Sequence, residues 1–199
     1  NVLTHFQFVS AFSANTGASD AAAGTTASLM ALDKQTGVLT TLNCGDSRSL
    51  IFDGQGKLIF QTIDHKPNLA EELERLSTGQ KQGLSYSLPE CRFSRWYLPV
   101  GEYEYAVSRS LEGPFASARG IVYTADVTDI QITDTVVAVS ATDGLFEVMD
   151  TAQVGQIVHQ LRTGPKKMMA VDAAKTLCSM AVERGSSDNI SVVILYLDA

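Results

Sequence analysis

RSLIFDGQGKLIFQTI, residues 48–63, is the stretch on which the reading of this chain turns. Its centre, Phe52-Asp53-Gly54-Gln55-Gly56, has the outline of a metal-binding loop, in which a glycine-permitted turn exposes a carboxylate. The flanks point elsewhere. RSLIF and KLIFQTI are both apolar and extended, and Asp-Gly between two such runs marks a tight hairpin turn. Asp53 is therefore read as the tip of an antiparallel hairpin and left out of the candidate ligands.

Working outward, further extended runs lie at 25–32 (TTASLMAL), 38–44 (VLTTLNC), 103–108, 120–127, 129–133, 135–142 and 189–197, most of them separated by turn formers such as KQTG and GDS. Helical spacing of apolar residues predicts helices over 2–14, 67–79, 151–162 and 165–184, two of them opening on Pro67 and Pro165. Residues 80–101, with Gly, Pro and several aromatics, are expected to form an irregular flap. Strands, helix, strands, two helices and a strand predict an α+β domain over 1–199. No internal repeat or interdomain linker interrupts it.

Composition narrows the function. A hydrophobic fraction of 45% with 19% charged residues fits a globular protein. The net charge of −7, with no basic stripe, argues against nucleic acid or an anionic membrane as partner. No apolar run reaches the ~20 residues a membrane-spanning helix needs. Cys44, Cys91 and Cys178 have neither zinc spacing nor a paired framework, which leads to the expectation of reduced thiols and an intracellular, cytoplasmic or nuclear, setting.

Two strand ends carry the chemistry. In VAVSATDGLFE an apolar strand ends at Asp143-Gly144, and in RGSSDNISVVIL an apolar strand starts just after Asp188-Asn189. Each alone is also an ordinary turn. If the strands are neighbours, both carboxylates meet at one end of a sheet and repel unless a cation lies between them; oxygen ligands of this kind favour Mg²⁺ or Mn²⁺. In IDHKPN, Asp64 either caps a helix or binds a ligand, and His65 is either structural or an acid-base group. Asp46 and Arg48 are expected to pair and tie their hairpin, and Arg109 to hold a phosphate or a neighbouring carboxylate. Gly-x-Ser-x-Gly, phosphate-loop and His-Glu-x-x-His signatures are missing from the sequence.

Taken in order, GTTASLM, NCGDSRSLI, DHKPN, AVSRSLEG, ATDGLFEVM and GSSDNISVVIL, spanning 24–195, resemble the metal-dependent type 2C protein phosphatases, the PPM family. The resemblance implies two antiparallel sheets packed as a sandwich flanked by helices, here without the family's first strands and first helix. It implies two Mg²⁺ or Mn²⁺ ions, with a weaker third site, and hydrolysis of phosphoserine or phosphothreonine in a phosphoprotein substrate by a metal-activated water. By matching positions, Asp143 and Asp188 fall on metal-holding aspartates, Asp64 on a ligand of the third metal, and Asp46 and Arg48 on a supporting turn.

The departures matter as much. Where the family has Gly-Asp after Ser-Arg-x-Leu, this chain has Glu112-Gly113. Where it commonly places a second Asp four residues past the first, this chain has Glu147, one methylene longer and still able to reach a third metal through water. The family's early Phe-Asp-Gly-His-Gly-Gly stretch supplies a bridging Asp and an acid His, and an upstream Arg binds phosphate. The sequence begins at Asn1, inside an expected helix, and contains none of these, so no catalytic residue is identifiable in it; FDGQG mimics the motif only as far as Gly54. The expectation is a phosphatase of which this is the later two thirds, inactive as this stretch alone. The alternative is a catalytically dead, phosphatase-like interaction module. Raw sheet edges also suggest pairing with another chain.

Overall fold

The computed structural model describes residues 24–198, which fall into two compact units. The helix expected over 2–14 lies outside the described residues. Residues 28–43, 47–63 and 126–198 form one unit and 24–27, 44–46 and 64–125 the other.

The first of these holds two antiparallel sheets. One has the order β1-β2-β8, with β1 Ala27–Asp33, β2 Val38–Cys44 and β8 Asp126–Gln131. The other runs β10-β9-β3-β4, with β3 Arg48–Asp53, β4 Leu58–Gln61, β9 Val136–Ala141 and β10 Val192–Leu197. The period-two geometry of a strand explains how this second sheet buries both faces. Leu50 and Phe52 of β3, with Val137 and Val139 of β9, pack in one core; Ile51, Val136 and Ala138, the residues between, pack in another. That second core includes Met30, Leu39 and Ile130 from the β1-β2-β8 sheet, so the two sheets form the expected sandwich. Ser28, Ser49 and Ser140 bridge it through hydroxyl contacts of 2.8–3.3 Å.

The outer face of β10-β9-β3-β4 is covered by helices α4 (Thr151–Thr163) and α5 (Ala170–Glu183). Val154 and Val158 of α4, and Ala173, Leu177 and Ala181 of α5, recur at helical spacing and supply the apolar stripes. Helix α4 starts in a capping box: Gln153 N–H donates to the Asp150 carboxylate (2.8 Å), and Asp150 N–H to the Gln153 side chain (3.1 Å). Helix α5 begins at Ala170 and not at Pro165, because 164–169 are taken up by a bend.

RSLIF and KLIFQTI pair as the antiparallel β3-β4 hairpin. The Asp53 carboxylate accepts from the N–H groups of Gln55 and Lys57, both at 2.9 Å, and Gly56 takes a positive φ of 80° to close the turn. A β-bulge between Ile51 and Phe52 offsets the pairing.

The other unit contains helix α1 (Ala70–Lys81), the short α2 (Pro114–Ser117) and a small sheet β5-β6-β7 (Glu90–Arg92, Arg95–Val100, Tyr103–Tyr105). Here the structure corrects the expectation of an irregular flap over 80–101. Leu98 and Val100 of β6 pack with Leu76, Ala116 and Ile121 in a core of their own. The strand expected over 120–127 is also absent as such. Of those residues, 120–125 run irregularly with one parallel bridge, Val122 to Arg109, and β8 begins at Asp126.

Candidate metal centre

The pairing of β10 with β9 decides where the two strand-end aspartates go. The strands are antiparallel, with Val192 opposite Ala141 and Leu197 opposite Val136. The C-terminal end of β9 therefore lies beside the N-terminal end of β10, which brings Thr142-Asp143-Gly144 next to Asp188-Asn189-Ile190.

These two segments are sewn together. Thr142 N–H donates to Ser191 O (3.1 Å), Ser191 N–H to the Thr142 hydroxyl (3.0 Å), and that hydroxyl to Asn189 O (3.2 Å). The Ser186 hydroxyl donates to Gly144 O at 2.7 Å. Gly144 is the point of closest approach: a Cβ there would lie 2.7 Å from Asn189 O and 3.3 Å from Asp188 Cβ. Only glycine lets the segments sit this close.

DGLF, read from sequence as part of a strand-ending turn, is a helical turn, α3 (Asp143–Phe146), with Thr142 at its N-cap position but no capping bond from the Thr142 hydroxyl. Glu147 N–H donates to Asp143 O at 2.9 Å, the backbone bond of an i, i+4 pair. Residues so spaced share a helix face, which is why Glu147 lies on the side of Asp143. As a result, one oxygen from each of Asp143, Glu147 and Asp188 can be chosen so that all lie within 4.8 Å of one another. Asp143 is half-buried; Glu147 and Asp188 are exposed. Asp188 Oδ1 also accepts from Asn189 N–H at 2.6 Å, which fixes the side chain's aim.

Three carboxylates at this spacing repel one another, and a divalent cation among them would relieve that repulsion. The donor set is all oxygen, which suits a hard ion such as Mg²⁺ or Mn²⁺ and not a thiolate-loving one. The residues fit the ions that the sequence suggests. Asp64, the fourth predicted ligand, belongs to the other compact unit and is not among these three. The hydroxyls of Thr142 and Ser186 were missed as positioning groups, although each flanks a ligand in the sequence.

In its own unit, His65 is fully buried and structural in its contacts: Nδ1 accepts from Gly45 N–H at 3.0 Å, and its carbonyl accepts from the backbone and hydroxyl of Ser108. Asp46 pairs with Lys66, two positions past Asp64, where a pair with Arg48 was expected. Arg48 lies 4.4 Å over the Phe146 ring and donates to the Thr151 hydroxyl. Arg109 holds a carboxylate. Its Nε donates to Glu72 at 2.7 Å, Arg75 grips the same fully buried side chain, and Arg109 also donates to Thr124 O. Burial pushes the Glu72 carboxyl up, but the bonds from Arg109 and Arg75 outweigh it, and the net shift is below the usual range.

Glu112, at a position where the chain departs from the family pattern, is buried. It accepts from the Ser110 hydroxyl (2.9 Å) and, more weakly, from the Tyr105 hydroxyl (3.4 Å). Burial raises its pKa above the ordinary carboxylate value despite those bonds. Tyr105 is pushed up to about 12, first by burial and then by the Glu112 charge.

Comparison with known proteins shows the family. The family model described as Protein phosphatase 2C matches residues 5–190. The chain is 34% identical over 160 residues to probable protein phosphatase 2C 10 of Arabidopsis thaliana, an alignment covering 80% of this chain and 50% of that protein. It is 31% identical over 160 residues to protein phosphatase 2C homolog 1 of Saccharomyces cerevisiae, with the same two coverages. The chain thus spans about half the length, or less, of the curated relatives it matches. A serine-threonine phosphatase 2C structure from Toxoplasma gondii has a similar fold, with a TM-score of 0.68 at 23% identity over 87% of this chain and 58% of that one. A serine/threonine phosphatase structure from S. agalactiae gives a TM-score of 0.64 at 20% identity, over 98% and 69%. The matched model takes in both segments that carry the acidic cluster, and the chain belongs to the protein phosphatase 2C family.

Proposed function

We propose that the protein is a metal-dependent phosphatase that hydrolyses phosphoserine and phosphothreonine in phosphoprotein substrates. The observation that carries this reading is the convergence of Asp143, Glu147 and Asp188 at one end of the β9-β10 pair. Asp143 and Asp188 would hold Mg²⁺ or Mn²⁺ with Glu147 beside them, and Asp64 would serve a weaker third ion. Bound divalent ions would make a water more acidic and offset charge on the phosphoryl group. The chain's own part is to place the carboxylates. The half-buried Asp143 is held by α3 and the Thr142 network, and Asp188 by its bond to Asn189 N–H. The substrate is expected in an intracellular setting. Among the described residues, no helix is long and apolar enough to cross a membrane.

One observation favours a second reading, a phosphatase-like interaction module without catalysis. Glu112 is buried and engaged by Ser110 and Tyr105, so the departure there is a structural fixture and no free acid. Under this reading, sheet edges such as β4 and β8 would pair with another chain. Phosphate release from a phosphothreonine peptide by the full-length protein with Mn²⁺ separates the two. The first reading expects turnover that Asp143→Asn lowers by at least about a hundredfold. No turnover in the wild type, or turnover indifferent to that substitution, would sink it.

A further inference from the structure

At the opposite end of β10 from Asp188, about 17 Å along the strand by its rise per residue, lie two adjoining cavities. One, of about 390 Å³, is lined by Arg162, Thr163, Lys167, Met168, Tyr196 and Asp198. The other, of about 430 Å³, shares Tyr196 and Asp198 and is otherwise walled by Leu32, Ile132, Leu197, Lys34 and Gly37. The first lobe is cationic and the second largely apolar.

The first lobe is rich in donors. The Arg162 guanidinium lies 5.0 Å from the centre of the Tyr196 ring, which fixes its plane. Its Nη2 is paired with Asp198. Its Nη1 and the Tyr196 hydroxyl are buried and have no hydrogen-bond partner among the described residues. Buried donors without acceptors are uncommon, and two residues carrying them line one cavity. Lys167 adds an exposed donor, whereas the Thr163 hydroxyl on the same wall donates to His159 O at 2.8 Å. Across both lobes three cations face the single carboxylate of Asp198, on a chain whose net charge is −7. Asp198 itself is 74% exposed, so it is a counter-ion that a ligand can displace.

We infer that this two-lobed cleft is a second anion site, remote from the acidic cluster, that takes a small phosphomonoester or phosphonate. The head group would displace Asp198 and sit on Arg162, Lys167 and the Tyr196 hydroxyl, with an apolar body in the Leu32-Ile132-Leu197 lobe. A planar guanidinium beside an ammonium and a phenol hydroxyl matches a tetrahedral oxyanion, which offers acceptors in several directions. The inference does not depend on the catalytic reading, because none of these residues belongs to the acidic cluster.

The test is titration of the full-length protein, with Mg²⁺ present, by inorganic phosphate and by phenylphosphonate, followed by amide NMR. Shifts at Thr163, Lys167 and Tyr196 report this cleft, and shifts around Asp188 report the metal centre, so the two are read apart. Phosphate is expected to move the first group, and phenylphosphonate to bind there about tenfold more tightly through its buried ring. Lys167→Ala, an exposed position, should weaken binding about threefold, and Asp198→Ala should tighten it about threefold by releasing the guanidinium. No shift at the three amides, equal affinity for the two probes, or binding indifferent to both variants would overturn the proposal.

Discussion

Gly144→Ala puts two opposing effects of known size into one residue. Gly144 is the second residue of α3, where alanine is favoured over glycine by about 0.5–1 kcal/mol. Against this, the added Cβ would lie 2.7 Å from Asn189 O and 3.2 Å from an Ile190 side-chain carbon. Ordinary contact begins at 3.4 Å, so the 188–190 backbone must retreat by about 0.7 Å, and forced overpacking of this kind costs about 1–3 kcal/mol. At the centre of both ranges packing wins, with a net loss of about 1 kcal/mol, or about 2–4 °C in thermal midpoint for a chain of this size. The retreat also carries Asp188 away from Asp143 and Glu147, whose oxygens can now meet within 4.8 Å. Metal sites tolerate only a few tenths of an ångström, so Mn²⁺ affinity should fall about tenfold or more. Differential scanning fluorimetry and calorimetric Mn²⁺ titration of wild type and variant check both parts. A stabilised variant with unchanged Mn²⁺ affinity would show that the propensity effect prevails and that the two ligand segments are not clamped through Gly144.

Asp53→Ala should cost about 1–2 kcal/mol by denaturant unfolding, since it removes the acceptor for Gln55 and Lys57, and should leave Mn²⁺ affinity as it was. Glu72 and Glu112 give opposite pH signatures. Glu72 has a lowered folded-state pKa, so its contribution is present above its ordinary value near 4.5 and is lost as pH falls through the lowered one. Glu72→Gln should therefore flatten the acid limb of a stability-pH curve and cost about 2 kcal/mol at pH 7, discounted because Arg75 is partly exposed. Glu112 has a raised pKa, so its contribution is present below about 4.5 and is lost as pH rises through the raised value. Glu112→Gln should raise stability at pH 7 relative to pH 4, and should bring the Tyr105 titration, followed by ultraviolet absorbance, down from about 12. A variant whose stability-pH curve parallels the wild type would contradict either assignment.

Much of this was legible because local pattern and tertiary context agree. Asp-Gly between RSLIF and KLIFQTI specified the β3-β4 hairpin, and the matching strand-end positions of Asp143 and Asp188 foretold their meeting across β9 and β10. Glu147 was placed only by the family resemblance, at the position where a second Asp is common, and the helical turn that brings it beside Asp143 was not foreseen. The β5-β6-β7 sheet was hidden for a physical reason. Its first turn runs through Phe93 and Ser94 at φ of 50° and 64°, a left-handed conformation that normally announces itself with Gly or Asn. Pro99 within β6 further masked the strand. Conversely, GIVYTADV has strand-like composition, but among the described residues 120–125 make one bridge, through Val122, while Ile121 packs in its unit's core. The Asp46–Lys66 pair joins residues 20 apart, a pairing that no local spacing rule could supply.

Calorimetric titration of the full-length protein with Mn²⁺, beside Asp143→Asn and Asp188→Asn, tests the central claim most directly. The account predicts saturable binding in the wild type, weakened at least tenfold by either substitution, because each removes one carboxylate of a shared site. Binding that persists unchanged in both variants, or no binding in the wild type, would contradict it.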